Sequence, residues 1–216
     1  MDTFADDPLV QSVAAHVKDF MQNYDASHDW NHIQRVVGLA RYIYSKSENK
    51  ADLDLRIIHL AALLHDVGDH KYLPPSAASD PTPIATLLLS LSCPPPLAAT
   101  LQTICLGVSF SSEVKDPARV AALVTRHPEL AVVQDADRLD ALGAVGLARM
   151  FTFGGAKGAR DLQGSVDHVD VKLVKLEGMC KTEVGRELAR ERTERLRLFQ
   201  GWWAEEVGFV ATVQGE

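Results

Sequence analysis

The sequence predicts an all-α protein folded as a single helical domain spanning residues 1–216. Apolar residues recur at helical spacing along almost the whole chain, and no stretch shows the apolar–polar alternation that is typical of a β-strand. A chain of 216 residues is long enough to bury one sizeable core. Hydrophobic residues make up 46% of the sequence, which is typical of a folded globular domain.

The predicted helices follow from this spacing and from the residues that begin or end them. Pro8 suits the first turn of a helix over residues 8–21, and Asp29 is a candidate N-cap for a helix ending near residue 45. Prolines and small polar residues make residues 73–83 a loop. Further helices are expected over residues 51–66, 84–92, 97–107, 117–125, 130–151 and 166–207, with an irregular segment at 109–116 and a glycine-rich loop at 154–164.

Charge and composition argue against several classes of protein. The chain has 22 Lys and Arg against 29 Asp and Glu, a net charge of −7, which disfavours binding to bulk nucleic acid or to anionic membranes. Three cysteines without CxxC spacing indicate reduced thiols. No secretory signal is visible, and no apolar run approaches the ~20 residues of a membrane-spanning helix. We therefore expect a cytoplasmic protein.

The adjacent pair His65 and Asp66 is the clearest chemical signal in the sequence. An apolar run over residues 60–64 leads directly into the pair, at the C-terminal end of the predicted core helix. A buried histidine beside a buried aspartate needs a partner, and a metal cation satisfies both side chains.

Two further side chains are candidates to complete a metal site. His32 lies one turn before Val36 and should face inward, although a core histidine bonded to a backbone carbonyl is the alternative. Asp137 shares an apolar helical stripe and, in mid-helix, needs a buried counter-ion. Asp135 and Asp140 fall on other faces, and for Asp135 we prefer the ordinary acidity of a helix N-terminus.

Together, His32, His65, Asp66 and Asp137 predict a site for one divalent metal ion, with open positions for water and substrate. Two imidazoles and two carboxylates without a thiolate suit Mn²⁺, Fe²⁺, Co²⁺, Ni²⁺ or Zn²⁺. Mn²⁺ is the first expectation, and Mg²⁺ is a further candidate.

The order of these motifs resembles the HD-domain superfamily of metal-dependent phosphohydrolases, over His28 to about Arg192. The resemblance implies an HD-type helical bundle with a core at about 28–192 and a C-terminal helix to about 207, and it assigns the same four residues as metal ligands. Specific segments are similar to a subgroup of small bacterial and fungal hydrolases that includes nucleoside triphosphate pyrophosphohydrolases. These segments are SHDWNHIQRV, AALLHDVGDHKY, VSFSSE, QDADRLDALGAVGLAR and VDHVDVKLVKLEGM.

Asp69 stands about one turn beyond Asp66, where the HD pattern often has a carboxylate or histidine. We expect Asp69 to orient or deprotonate the metal-bound water, with an ordinary turn residue after Gly68 as the alternative. Phosphate-binding candidates are basic residues near the ligand motifs, for which surface ion pairs are the alternative. These candidates are Arg35, Lys71, Arg138, Lys172 and Lys175, with His168 beside the last two.

The resemblance implies hydrolysis of a nucleoside triphosphate to its monophosphate and pyrophosphate through a metal-activated water. A 5′-nucleotidase or other phosphomonoesterase using the same site is the first alternative. A di-iron HD-type oxygenase is less favoured, because only His70 and His127 lie between the doublet and Asp137. A non-catalytic nucleotide-binding module is the third alternative. The expected partner is a small phosphorylated substrate, with a homodimer left open.

Overall fold

The computed structural model describes residues 4–67, 80–156, 158 and 160–213. These residues form eleven α-helices and three short 3₁₀ segments, and none of them lies in a β-strand, which confirms the predicted all-α fold class. The α-helices are α1 Pro8–Phe20, α2 Trp30–Lys46, α3 Leu55–Leu64, α4 Pro83–Ser90, α5 Pro95–Val108, α6 Phe110–Lys115, α7 Pro117–Arg126, α8 Glu129–Asp140, α9 Gly143–Ala156, α10 Leu162–Val171 and α11 Glu183–Val213. The 3₁₀ segments are Met21–Asn23, Lys50–Asp52 and Leu173–Met179.

Aspartate side chains cap the first three α-helices of the chain. Asp7 accepts hydrogen bonds from the backbone N–H groups of the first turn of α1, and Asp54 does the same for α3. Asp29 begins α2 as predicted, and its carboxylate accepts the N–H of His32 at 3.0 Å. Each cap satisfies N–H groups that have no partner within the helix.

Three predicted boundaries were wrong in the middle of the chain. The single helix expected over residues 130–151 is divided into α8 and α9, because Gly143 adopts a left-handed backbone with φ of +67°. The segment expected to be irregular, residues 109–116, contains α6, which begins where Ser109 Oγ accepts the N–H of Ser112. Helix α9 also continues into the predicted glycine-rich loop as far as Ala156.

The C-terminal region is likewise more divided than predicted. Helix α10 is followed by the 3₁₀ segment Leu173–Met179 and then by α11, instead of one continuous helix over residues 166–207. The carboxylate of Asp135 accepts the N–H groups of Lys181 and Thr182 at the start of α11. This contact between distant residues gives the two backbone N–H groups an acceptor that a continuous helix would otherwise provide. The spacing of apolar residues along the sequence does not predict it.

Helices α2, α3 and α8 pack against one another at the centre of the fold, and α5 and α11 pack on α8 from other sides. Helix α3 is buried throughout from Ile58 to Leu64, so it has no solvent-facing side over this stretch. Burial of each large aliphatic side chain is worth roughly 1.5–3 kcal/mol. The rigid core therefore holds the ends of α2 and α3 against the face of α8. In the described part of the chain, no helix has the length and apolar character required to cross a membrane.

Candidate metal centre

The structure brings the four predicted metal ligands together from three helices. His32 lies in the first turn of α2, His65 follows the last residue of α3, and Asp137 lies in α8. The Nε2 atoms of His32 and His65 are 3.2 Å apart, and Asp66 Oδ2 is 3.2 Å and 3.4 Å from them. Asp137 Oδ1 lies 3.8 Å and 3.7 Å from the same two nitrogens.

Hydrogen bonds at the far side of each ring orient the two imidazoles. His65 Nδ1 donates to the backbone carbonyl of Ala62 at 2.9 Å, because a carbonyl oxygen can only accept. His32 Nδ1 donates a hydrogen bond to Asp140 Oδ2 at 2.7 Å. With each Nδ1 atom donating to its partner, both rings direct Nε2 toward Asp66, where a bound metal ion would take the place of any proton on Nε2. This arrangement is typical of histidines that bind metal ions.

The resulting site fits a divalent cation. Both histidines are buried, and Asp66 Oδ2 is buried without a hydrogen-bond partner among the described residues. Two lone-pair nitrogens and a carboxylate oxygen within 3.4 Å repel one another unless positive charge lies between them. The donor set of imidazole nitrogen and carboxylate oxygen suits a transition metal ion.

The electrostatics of the ligands agree with this arrangement. Burial alone would lower the pKa of His32, but its contacts with the carboxylates of Asp140 and Asp66 outweigh burial and raise it. Burial would likewise raise the pKa of Asp66, but the positive charge of the neighbouring imidazoles of His65 and His32 holds that pKa below its ordinary value. A carboxylate that stays ionised in a buried position is ready to bind a cation without first losing a proton.

Asp140 supports the centre although the sequence analysis gave it no role. Its carboxylate is 1% exposed and accepts hydrogen bonds from His32, from Arg35 Nε at 2.7 Å and from Arg35 Nη2 at 3.0 Å. Arg149 Nη1 lies 3.1 Å from the same carboxylate, and Arg149 Nε donates to the carbonyl of Ser27 at 2.6 Å. The phosphate-binding role expected for Arg35 stays a prediction, because in this structure its guanidinium holds Asp140.

A second buried network surrounds Arg138. Its side chain donates to the carboxylate of Glu113 and to the carbonyl of Met179, the latter at 2.7 Å, and Lys181 Nζ lies 3.0 Å from both Glu113 oxygens. The phosphate-binding role of Arg138 therefore also stays a prediction. The interpretation of Asp135 as ordinary acidity near a helix N-terminus was wrong, because this buried carboxylate anchors the start of α11.

A cavity of about 430 Å³ opens beside the centre, with Asp66 and Asp137 in its wall. This volume lies within the roughly 300–1,000 Å³ of small-molecule sites. His28 also lines the cavity, and burial lowers the pKa of His28 to about 4. Side chains that the sequence analysis did not assign to a site, Arg149 and Arg160 among them, also face the cavity.

The other residues predicted to bind phosphate or to act in catalysis do not all lie at the cavity. Lys172 lines the cavity, and its Nζ lies 5.0 Å from the ring centroid of Phe110. Lys175 is exposed to solvent on the 3₁₀ segment and does not line the cavity. Asp69 and Lys71 lie outside the described residues, so their roles stay predictions.

Comparison with known proteins identifies relatives of this fold. No protein-family model matches the chain. The uncharacterized protein YpgQ of Bacillus subtilis is 36% identical over 188 residues, which cover 84% of this chain and 85% of YpgQ. The crystal structure of YpgQ in complex with ADP superposes with a TM-score of 0.70 at 33% identity, covering 92% of this chain and 94% of that one. An HD-superfamily hydrolase from Bacillus thuringiensis has a TM-score of 0.66 at 28% identity, covering 92% and 96% of the two chains.

The all-α bundle matches the HD-domain fold, and an HD-superfamily hydrolase is among the solved structures that it resembles. The chain belongs to the family of Bacillus subtilis YpgQ. These comparisons support the predicted resemblance to the HD superfamily, while the pyrophosphohydrolase subgroup stays a prediction.

Proposed function

We propose that the protein is a metal-dependent phosphohydrolase acting on nucleotides, which cleaves a nucleoside triphosphate into a monophosphate and pyrophosphate. The observation that carries this proposal is the convergence of His32, His65, Asp66 and Asp137 beside the cavity, which all of them except His32 line. Two comparisons support it: a structural relative is an HD-superfamily hydrolase, and the relative YpgQ has been crystallised with ADP.

His32, His65, Asp66 and Asp137 would hold one divalent ion, with Mn²⁺ as the first candidate. A bound divalent ion supplies Lewis acidity and a water molecule of lowered pKa. The side chains determine where this chemistry happens, since His65 and the ionised Asp66 line the cavity and His32 Nε2 lies directly behind them, 3.2 Å from each. Asp137 has 28% of its side chain exposed, so it is reached from the cavity as well as from the histidines.

In the proposed reaction, the oxygen of water forms a bond to the α-phosphorus and the bond from that phosphorus to the bridging oxygen breaks. Pyrophosphate leaves with the electron pair of the broken bond. We assign to Asp69 the acceptance of the proton of the attacking water. Nearby basic side chains neutralise the charge that develops on the phosphate oxygens.

Three other functions use the same fold. A phosphomonoesterase would release orthophosphate from a nucleoside monophosphate at the same centre. A di-iron oxygenase would need additional metal-binding histidines. A nucleotide-binding module would bind without turnover. The ADP bound to YpgQ favours a nucleotide ligand over a phosphorylated metabolite of another class.

A screen of phosphorylated compounds with separate orthophosphate and pyrophosphate readouts tests the proposal, with Mn²⁺, Mg²⁺, Co²⁺, Ni²⁺ or Zn²⁺ added in turn. We expect pyrophosphate from nucleoside triphosphates, loss of activity after exhaustive chelation and recovery with Mn²⁺. His65→Ala should abolish both Mn²⁺ binding and turnover, whereas His16→Ala, the same change at an exposed position, should retain both.

Orthophosphate release from monophosphates alone would replace the proposed reaction by phosphomonoester hydrolysis. Full activity after chelation would refute the metal-dependent mechanism. An iron count and an absorption spectrum on aerobically purified protein separate the oxygenase alternative, because a di-iron centre would show two irons per chain.

A further inference from the structure

The cavity beside the metal centre contains a second group of functional side chains, from a different part of the chain. Arg160 precedes α10, His168 lies within α10 and Lys172 follows its last residue. All three side chains line the same cavity as Asp66 and Asp137. A single ligand in the cavity can therefore contact both groups.

The three side chains of this second group lie close enough to influence one another. Burial, followed by the positive charges of Arg160 and Lys172, lowers the pKa of His168 to about 4. Like charges held together are unfavourable unless an anion is bound between them. The arrangement is more notable in a chain with 29 acidic against 22 basic residues, where carboxylates are in excess.

The arginines of the cavity wall differ in their partners. Arg138 binds the carboxylate of Glu113, and Arg149 contacts the carboxylate of Asp140. Arg160 forms no ion pair with any carboxylate in the part of the chain that the structure describes. Among the described arginines of the cavity wall, Arg160 is therefore the one whose guanidinium is not paired with a carboxylate. It can bind an anionic ligand through two parallel hydrogen bonds.

The ring of Phe110 supports the position of Lys172. Its ammonium lies over the ring of Phe110, 5.0 Å from the centroid, and Phe110 also lines the cavity. A cation over an aromatic face is attracted by the negative face of the ring, which holds the ammonium at the cavity wall. The start of α6 therefore contributes to the same site, because Phe110 is its first residue and Ser109 is its N-cap.

We propose that Arg160, His168 and Lys172 form a subsite for the two terminal phosphates of a nucleoside triphosphate, which leave as pyrophosphate. This inference rests on the proposed function, since it assigns the two groups of side chains to different parts of one substrate. The α-phosphate lies at the metal ligands, and the guanidinium, an imidazole N–H and the ammonium donate to the terminal phosphate oxygens. The electron pair of the broken bond then remains on an oxygen that cationic groups stabilise.

The subsite predicts that the protein distinguishes nucleotides by the number of their phosphates. A nucleoside monophosphate can bind at the metal ligands but leaves the α10 side chains without phosphate contacts. A triphosphate engages both groups, so the difference in binding between the two substrates arises at Arg160 and Lys172. We therefore expect a preference for triphosphates that depends on these cations.

Titration calorimetry with inorganic pyrophosphate tests the subsite directly, on the full chain and without a need for turnover. Arg160→Gln and Lys172→Gln should each weaken pyrophosphate binding about tenfold, since each removes a charge-assisted hydrogen bond. Arg190→Gln is the matched control, because Arg190 is exposed on α11 away from the cavity, and it should bind as the unmodified protein does. Thermal unfolding of each variant verifies that the fold is retained.

The titration is repeated with Mg²⁺ and with EDTA to separate the two groups of side chains. Binding that persists in EDTA and weakens in both variants supports the subsite. Binding that disappears in EDTA and is equal in all variants would place the anion on the metal centre and overturn the proposal. Absence of binding to the unmodified protein would overturn it as well.

The outcome is distinguishable from failure of the proposed function. Pyrophosphate release with unchanged binding in both variants would refute the subsite while the reaction stands. Weakened pyrophosphate binding in a protein that hydrolyses no triphosphate would refute the reaction and, with it, the leaving-group role.

Discussion

Replacing Asp140 by Asn should weaken metal binding although Asp140 is not one of the proposed metal ligands. The carboxylate accepts a hydrogen bond from His32 Nδ1 at 2.7 Å and thereby keeps His32 Nε2 directed toward Asp66. An asparagine of the same shape keeps one acceptor oxygen but loses the negative charge, and its amide group faces donors such as Arg35 and Arg149. The ring of His32 then loses both its orientation and part of its basicity.

The size of the effect follows from these contacts. Loss of a carboxylate that orients a metal-binding histidine typically costs 10- to 100-fold in metal affinity. That range corresponds to about 1.4–2.7 kcal/mol. The metal-free protein should also lose about 2–4 kcal/mol of unfolding free energy, because buried charge-assisted hydrogen bonds are removed. The contribution of Arg35 is at the low end, since 34% of its side chain is exposed.

Calorimetric titration with Mn²⁺ and urea unfolding of the metal-free protein measure the two effects separately. Asp135→Asn is the matched control, because Asp135 is equally buried in the same helix but binds Lys181 and Thr182 and not His32. We expect the control to be destabilised and to bind Mn²⁺ with nearly unchanged affinity. An Asp140→Asn variant with unaltered Mn²⁺ affinity would refute the orienting role of this carboxylate.

Other changes test separate parts of the structure. Asp69→Asn should reduce turnover at least tenfold with bound metal unchanged, as measured by steady-state kinetics and a metal count; unchanged turnover would remove Asp69 from the mechanism. Gly146→Ala should lower the unfolding free energy by about 2–4 kcal/mol in urea titrations, because a Cβ at this position would lie 2.2 Å from the carbonyl oxygen of Ala141. Gly155→Ala in the same helix is the control and should be tolerated, because a Cβ there meets no atom within 4 Å. Burial opposes the charge of Asp140, but hydrogen bonds from His32 outweigh it and lower the pKa of Asp140 below its ordinary value. The stabilisation from this shift is present above the unfolded-state pKa of about 3.9 and is lost as the pH falls toward the lower pKa of the folded protein. In acid titrations of the metal-free proteins, the stability of Asp140→Asn should therefore depend less on pH below about pH 4 than that of the unmodified protein.

The helical periodicity of the sequence was sufficient to predict the fold class and the inward direction of His32. Its buried ring in the first turn of α2 agrees with the spacing to Val36, and the cap by Asp29 agrees with the predicted start of the helix. The predictions for Asp69 and Lys71 remain open, because both residues lie outside the described part of the chain.

The division of the predicted helix over residues 130–151 was not visible from periodicity, because apolar spacing continues on both sides of the break. The signal that could have been used is Gly143, which follows Asp140 by three residues and adopts φ of +67°. Glycine is tolerated within helices but is strongly favoured where the backbone turns left-handed, so a single glycine does not distinguish the two cases. The break matters because it directs α9 and Arg149 back toward the cavity.

Asp140 shows most clearly why spacing along one helix cannot identify a site. The prediction that Asp140 falls on another face of the helix from Asp137 was wrong, because both carboxylates contact the His32 ring: Asp137 lies near Nε2 and Asp140 binds Nδ1 on the opposite side. The two aspartates contact one imidazole because α2 packs against α8. This packing brings together His32 and Asp140, which are 108 positions apart in the sequence. Periodicity predicts which face of a helix is buried, but the partner of a buried charge is determined by which helix packs there. A pattern of two acidic residues one turn apart, facing a histidine on another core helix, therefore indicates a metal ligand together with the residue that orients the histidine.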